Sequence, residues 1–410
     1  MGRLARWAGA TACIACAKWN CHRCEGNIQG LMKRQVAILT PPGRSAIATL
    51  ICRGENVDAA VAEFFTPMAH RDFSHYHIGQ IVFGSWTQPS GQSEDVVVCR
   101  KSESIVEVHC HRGTAAVDAI ESNLKSKGFE SITWKQWLDS GDLDSIRRKA
   151  AELLVACSTL PTSLHMLDQQ HGALSEELCA ISGLLVDGAV DEAKTRLHHL
   201  YDSSSAGLHL VKPFDVVIAG FPNAGKSSLL NQILGYDRAI VAEIPGTTRD
   251  VLTGLTAING WPVSMRDTAG IRESDENVEQ QGIHKSYHQV AKCDLVVWVD
   301  AINQDWIEPE VELSDSTLFV FNKSDLLCES EIDVALGSRP AGVVTSAVSG
   351  EGLNDLLQQV IASLLPVMPV TGQPLLFTEG QKSKVIDWLT MLESDHRDTV
   401  MQQITALLSS

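Results

Sequence analysis

The stretch FDVVIAGFPNAGKSSLLNQILG, Phe214 to Gly235, decides the fold. Its first part, Phe214 to Ala219, is a buried-strand run. That strand leads straight into Gly220-Phe221-Pro222-Asn223-Ala224-Gly225-Lys226-Ser227, and Ser228 to Leu234 then reads as a helix ending at Gly235. This is G-x4-G-K-S between a strand and a helix. Glycines let backbone N–H groups turn inward around phosphate, and the helix N-terminus adds a positive dipole. Lys226 reaches the outer phosphates and Ser227 offers a hydroxyl to Mg²⁺, so Asn223 to Ser228 form the expected cradle. A glycine-rich turn of purely structural purpose shares the octapeptide, but the flanking strand and helix favour phosphate.

A phosphate cradle does not name the base. Downstream, Leu318 to Phe321 reads as a strand that delivers Asn322-Lys323-Ser324-Asp325. The Asp325 carboxylate can accept from the N1–H and 2-amino donors that guanine has and adenine lacks. Adenine would leave that carboxylate unpaired, a mismatch that discriminates strongly. Lys323 would lie along the base, and Asn322 would tie this loop to the phosphate cradle. Thr345-Ser346-Ala347 follows a short strand, where a backbone N–H can meet the guanine 6-oxo group. GTP and GDP are therefore the expected ligands.

Between these motifs, Asp267-Thr268-Ala269-Gly270 closes a strand read from Pro262 to Arg266. Asp267 would hold Mg²⁺ through water, and the Gly270 N–H would sense the γ-phosphate. Before it, Gly246-Thr247-Thr248-Arg249-Asp250 supplies Thr248 to complete the Mg²⁺ shell, with Thr247 beside it in the nucleotide site. Where Ras-like GTPases carry a water-orienting Gln after the D-x-x-G turn, this chain has Ile271. Another residue must supply that role, and a monovalent cation beside the phosphates would serve the developing charge.

The runs GFPNAGKSSLLNQILG, AIVAEIPGTTRDV, DTAGIRESDENVEQQGI and NKSD closely resemble the G domain of the tRNA-modification GTPases MnmE (TrmE). That resemblance implies hydrolysis assisted by bound K⁺ and by pairing of two G domains, without an arginine finger. It implies Asn223 as a K⁺ ligand and Glu279 as the residue that positions water. A solvated acidic residue within Glu273 to Glu279 is the competing reading of Glu279. The implied catalytic set is thus Glu279, Lys226, Thr248 and Gly270.

The likeness continues more thinly outward. Thr40-Pro41-Pro42-Gly43-Arg44, Glu107 to Gly113 and Gly141-Asp142-Leu143-Asp144 resemble the family's N-terminal opening, its histidine-glycine turn and its entry into a helical domain. The family's order is an α+β N-terminal domain resembling formyl-tetrahydrofolate-binding folds, then a helical domain with an α/β P-loop G domain inserted in it. The resemblance also implies a homodimer, a flavoprotein partner and tRNA as the modified substrate. Two departures stand out. Relatives end in Cys-Ile-Gly-Lys, whereas this chain ends Thr405-Ala406-Leu407-Leu408-Ser409-Ser410 with no cysteine beyond Cys328. The family's threonine-glycine-glutamate-aspartate stretch is replaced by Lys101-Ser102-Glu103-Ser104, which weakens the case for folate. The alternative to tRNA chemistry is a GTP-dependent switch acting on another partner.

Periodicity divides the chain in the same way. Residues 35–137 mix strand runs at Ala46 to Cys52, Ile78 to Gly84, Asp95 to Cys99 and Ile105 to His109 with helical stretches at Asn56 to Phe65 and Thr114 to Lys127. Residues 138–211 lose the strand signals, and apolar residues recur at helical spacing in Ile146 to Ser158 and Leu174 to Tyr201. Residues 212–365 alternate buried strands, including Asp294 to Asp300, with helices, which predicts a mostly parallel sheet covered on both faces. Residues 366–410 open on prolines and turn amphipathic from Gly380 to Leu408.

The formal net charge of -17 excludes a protein that coats nucleic acid by bulk electrostatics, so any RNA contact needs a local basic patch. Arg147, Arg148 and Lys149 are a candidate, although such a run is more often a solvated helix face. No apolar run reaches the roughly 18 residues of a spanning helix, and a cytoplasmic protein is expected. Of the 11 cysteines, Cys13, Cys16, Cys21 and Cys24 form a C-x2-C-x4-C-x2-C array with ligand types that suit zinc. A start at Met32 and a poor signal peptide are competing readings of residues 1–34.

Overall fold

The computed structural model describes residues 33–40, 46–139, 141, 143–236, 253–267, 293–309 and 317–409. The chain forms two compact units, Met1–Leu143 and Asp144–Ser410. The array Cys13, Cys16, Cys21 and Cys24 lies outside the described residues, as do Thr247, Thr248, Gly270 and Glu279.

The first unit runs β1 (Gln35–Ile38), β2 (Ile47–Arg53), α1 (Val57–Ala62), β3 (Phe65–Pro67), β4 (Ile81–Thr87), β5 (Ser93–Ser102), β6 (Ile105–His111), α2 (Thr114–Ser126), β7 (Glu130–Ile132) and α3 (Trp134–Asp139). Its seven strands lie in the order β3-β4-β5-β6-β2-β1-β7. Alternation explains the layering: Val106, Val108 and Cys110 point inward from β6 while Glu107, His109 and His111 take the other face. Val57, Val61, Ile120 and Leu124 of α1 and α2 close over the inward set. Two boundaries differ from the sequence reading. The expected helix to Phe65 stops at Ala62, because Phe65 pairs with Trp86 across β3 and β4 and packs edge-on against Phe73. The strand expected from Ile78 begins at Ile81, after a turn closed by the Gln80 N–H on the His77 carbonyl.

The second unit opens with α4 (Ser145–Leu154), α5 (Leu160–His171), α6 (Ala173–Val186), α7 (Val190–Asp202) and α8 (Ser204–Leu208). Asp144 starts the first of these by accepting from the Ile146 and Arg147 N–H groups at 3.0 and 2.9 Å, and it also accepts from Ser175 Oγ at 3.1 Å. The helical stretch read from Leu174 to Tyr201 is two helices, broken after Val186 by the Asp187-Gly188 turn. Then follow β8 (Phe214–Gly220), α9 (Lys226–Tyr236), β9 (Thr253–Ile258), β10 (Trp261–Asp267), β11 (Leu295–Ala301), β12 (Thr317–Asn322), α10 (Glu329–Leu336), β13 (Gly342–Val344) and α11 (Leu353–Leu364). The strand order is β13-β12-β11-β8-β10-β9, parallel except for the β9–β10 hairpin. That hairpin turns at Asn259-Gly260, both at positive φ, where the sequence reading anticipates only the second arm.

The chain returns through α12 (Glu379–Glu393) and α13 (Arg397–Ser409). Trp388, Val400 and Ile404 share one apolar core with Leu178, Ile181 and Leu185 of α6 and with Val216 and Ile218 of β8. Buried Gln169 secures the return, donating to the Gln373 carbonyl at 2.9 Å and accepting from the Leu375 N–H at 3.1 Å. The helical layer and the parallel sheet thus have a continuous interior. Burying each aliphatic side chain there contributes about 1.5–3 kcal/mol.

The seven described cysteines are thiols. Burial pushes Cys52 up to about 12 and Cys110 up to about 11. Thiolate is the reactive form, so native-state alkylation in mildly alkaline buffer, read by peptide mapping, is expected to modify exposed Cys179 and Cys328 and to spare Cys52 and Cys110. Labelling of Cys52 as fast as Cys328 would contradict the packing of β2.

Candidate functional site

Two loops at the carboxyl ends of the parallel strands make the site, the place where open α/β sheets bind ligands. The first joins β8 to α9. A Cβ on Gly220, at φ +135°, would lie 2.0 Å from the Val299 carbonyl oxygen of β11, so only glycine lets the loop leave the sheet there. A Cβ on Gly225, at φ +91°, would meet Asn322 Nδ2 at 2.3 Å. Asn223 also adopts the left-handed region, at φ 62°, and its side chain is exposed. These turns build the loop that the G-x4-G-K-S spacing predicts.

Within the loop, Lys226 is buried, and its Nζ donates to the Gly220 and Phe221 carbonyls at 3.1 and 2.8 Å. The ammonium is therefore held at the loop by its own backbone. Ser227 and Ser228 open the helix with exposed side chains. Ser227 Oγ donates to Oδ2 of Asp267 at 2.5 Å. Asp267 is fully buried at the end of β10, where it is in register with Ile218 of β8. A hydroxyl and a carboxylate so close together are hard oxygen donors of the kind Mg²⁺ takes. Among the described residues no group of three or more His, Cys, Asp or Glu gathers as a metal site, so these two oxygens are a partial set.

The second loop follows β12. Asn322 is 1% exposed and uses both ends of its amide: Nδ2 donates to the Ala224 carbonyl at 2.9 Å, and Oδ1 accepts from the Ala347 N–H at 3.0 Å. The Thr345 hydroxyl reaches the same oxygen at 3.4 Å. One side chain therefore joins the phosphate loop, the Asn322–Asp325 turn and the Thr345–Ala347 segment. Of the Thr345-Ser346-Ala347 run, whose backbone the sequence reading offers to a guanine 6-oxo group, the Ala347 N–H is directed at Asn322, because a buried amide oxygen needs a donor.

Asp325 is exposed, and its Oδ1 accepts from Ser346 Oγ at 2.5 Å. Ser346 is buried and is fixed in turn by the Val348 and Ser349 N–H groups at 3.3 and 3.1 Å. Ser346 thus aims the carboxylate. Lys323 takes φ 69°, a left-handed turn that separates Asn322 from Asp325. The structure therefore gathers Asn223, Ala224, Gly225, Lys226, Ser227, Ser228, Asp267, Asn322, Lys323, Asp325, Ser346 and Ala347 along one edge of the sheet.

Two charged residues near this edge escape the sequence reading. Asp300 is the penultimate residue of β11 and Arg339 follows α10, and their side chains are 5% and 2% exposed at an Nε to Oδ2 separation of 3.5 Å. The available signal was an aspartate closing an otherwise apolar strand, Leu295 to Val299.

A phosphate loop after the first strand of a parallel sheet, with an asparagine-tethered carboxylate loop after β12, defines a P-loop GTPase domain. Residues 215–324 match the family described as 50S ribosome-binding GTPase. Over most of its length the chain is similar to the tRNA modification GTPase MnmE of Clostridioides difficile, 29% identical over 368 residues that cover 79% of this chain and 80% of that protein. The MnmE of Chlamydia felis is 28% identical over 414 residues, covering 91% of this chain and 87% of that protein. Among solved structures, the G domain of the T. maritima FeoB iron transporter is 27% identical, covering 37% of this chain and 98% of that one with a TM-score of 0.26. The chain is a divergent relative of the MnmE GTPases.

Replacing Asn322 by Ala strands the Ala224 carbonyl and the Ala347 N–H, so urea unfolding is expected to report a loss of about 2–3 kcal/mol. Asn322→Asp should cost at least as much, since a carboxylate oxygen would then face the Ala224 carbonyl. Losses below about 0.5 kcal/mol for both variants, the range of ordinary surface changes, would contradict the tether.

Proposed function

We propose that this protein binds GTP between the 220–227 loop and Asp325, hydrolyses it to GDP and phosphate, and acts in tRNA modification as its MnmE relatives are named for doing. The Asn322 amide carries the reading, because it fixes the spacing between a phosphate cradle and a base-reading carboxylate. Phosphate binding alone would not require that spacing.

In this reading the backbone N–H groups from Asn223 to Ser227 and the Lys226 ammonium take the β- and γ-phosphates, exchanging the loop carbonyls for phosphate oxygens. Water attacks the γ-phosphorus, the bond from that phosphorus to the bridging oxygen breaks, and the electron pair leaves with GDP. Lys226 and the loop N–H groups stabilise the charge that grows on the leaving oxygens. Ser227 and Asp267 would hold Mg²⁺, which when bound neutralises phosphate charge. Asp325, aimed by Ser346, accepts from the guanine N1–H and 2-amino groups, and Lys323 lies along the base.

Asn223 is proposed as a K⁺ ligand by likeness to the MnmE relatives, and it stands exposed at a left-handed corner of the phosphate loop. Thr248, Gly270 and Glu279 keep their assigned roles in Mg²⁺ completion, γ-phosphate sensing and water positioning on the strength of the sequence motifs. Pairing of two chains, a flavoprotein partner and a cytoplasmic location complete the proposal by likeness to the relatives. No described helix is long and apolar enough to cross a membrane.

Asp325→Asn is expected to lower the preference for GTP over other purine nucleotides by about 10²-fold or more, and Lys226→Ala to remove measurable nucleotide binding. Hydrolysis should run faster in potassium than in sodium and rise with protein concentration. Equal rates in both salts would remove the role given to Asn223, and ATP binding equal to GTP binding would sink the nucleotide assignment. We take the modified base to be the wobble uridine of tRNA, as the family resemblance implies; unchanged wobble-uridine modification in a deletion strain would remove the tRNA role while leaving the GTPase intact.

A further inference from the structure

Arg339 lies between α10 and β13, outside every nucleotide motif, yet its guanidinium donates three hydrogen bonds through Nη1 and Nη2, and Nε is buried without one. Nη1 donates to the Ala335 carbonyl at 2.8 Å, and Nη2 donates to the carbonyls of Ile302, at 3.3 Å, and Gln304. Nε faces Asp300 Oδ2 at 3.5 Å, an ion pair longer than a hydrogen bond. The guanidinium carbon stands 5.6 Å from the centroid of the Phe321 ring, and Trp306 meets the same ring edge-on at 6.0 Å.

Each contact leads to the base-reading loop by a short path. Phe321 is the residue before Asn322, and Asp300 is its register partner across β11 and β12. The Ile302 N–H donates to the Asn322 carbonyl at 2.9 Å, so the peptide that Arg339 holds from its oxygen side is the neighbour of the one that fixes the Asn322 backbone. The Asn322 side chain is gripped from the phosphate loop, whereas its main chain is gripped from the Ile302–Gln304 segment that Arg339 clamps. Burial pushes the Asp300 carboxyl up, and the Arg339 charge opposes that shift. Removing one partner would leave the other charge buried without compensation.

We propose that Arg339, paired with Asp300, is a positioning residue for guanine recognition: it fixes the backbone on which Asp325 is mounted and has no part in holding phosphate. The proposal rests on the base-reading role given to Asp325. A fork that donates to three carbonyls and faces a carboxylate uses planar geometry that lysine lacks. Among the described residues its hydrogen bonds, ion pair and ring contact run to β11, β12, α10 and the segment after β11, whereas Lys226 Nζ donates to the carbonyls of Gly220 and Phe221 and Ser227 Oγ to Asp267.

The test compares wild type, Arg339→Gln, Arg339→Lys and the double variant Asp300→Asn/Arg339→Gln, which leaves no uncompensated buried charge if the single variant fails to fold. Steady-state GTP hydrolysis gives KM and kcat, and competition by inorganic tripolyphosphate reads the phosphate cradle alone. The expected result is KM for GTP raised about tenfold in Arg339→Gln and in the double variant, equivalent to about 1.4 kcal/mol. Affinity for tripolyphosphate and kcat should stay within about twofold of wild type, and Arg339→Lys should recover only part of the loss. An unchanged KM, or a parallel loss of GTP and tripolyphosphate affinity, would overturn the proposal. Asp325→Asn in the same assay separates the two readings: if it shifts base preference while Arg339→Gln changes nothing, the positioning role alone fails.

Discussion

The amide of Asn322 is the constraint on which the candidate site depends. It is buried at the end of β12, donates to a carbonyl of the phosphate loop and accepts from the N–H of the Ala347 segment. Each of those groups is polar and would be costly to bury unpaired, so the three loops can pack together only while the amide stands between them. The placement of the Lys226 loop relative to the Asp325 turn is thereby fixed by the fold. Gly225 belongs to the same constraint, since any Cβ there would displace the Asn322 nitrogen.

The remainder of the second unit supports that junction. The sheet supplies parallel strands whose carboxyl ends fall on one edge, and the helical layer shares its interior through Ile181, Trp388 and Val216. At the boundary between them His165 stacks on Trp261, Trp261 tilts against Phe214, and Phe214 stacks on His209. Phe214 and Trp261 begin the two strands that deliver the phosphate loop and Asp267. The helical residues that bracket the inserted sheet thus pack against the starts of the strands whose far ends carry the chemistry.

Much of this was legible in the sequence, and the reasons are physical. A strand, a glycine-bracketed loop and a helix with Lys226-Ser227 at its start have few alternative conformations, and Asn322-Lys323-Ser324-Asp325 after an apolar run has few alternative purposes. Long helices announced themselves by spacing, although the break at Gly188 did not, because the apolar pattern continues in phase across it. The short strands β1, β3, β7 and β9 were not read, since three to six residues give too little alternation to count, although Asn259-Gly260 is a dipeptide that favours a hairpin turn and could have pointed to β9. The pairing of Arg339 with Asp300 was missed for another reason: Asp300 closes an apolar run, but Arg339 has no local signature, and the two positions are brought together only by the parallel crossover. The sequence offers the backbone of Thr345-Ser346-Ala347 to the base, and the structure adds a part for the Ser346 hydroxyl, which donates to Asp325.

The central claim is that a phosphate cradle at Lys226 and a guanine-selective carboxylate at Asp325 form one preassembled site. Calorimetric titration of the full chain with GDP and with ADP in the presence of Mg²⁺ tests it most directly. The account predicts saturable GDP binding at one site per chain, tighter than ADP by at least about a hundredfold. Equal affinity for the two nucleotides, or no binding of either, would contradict it.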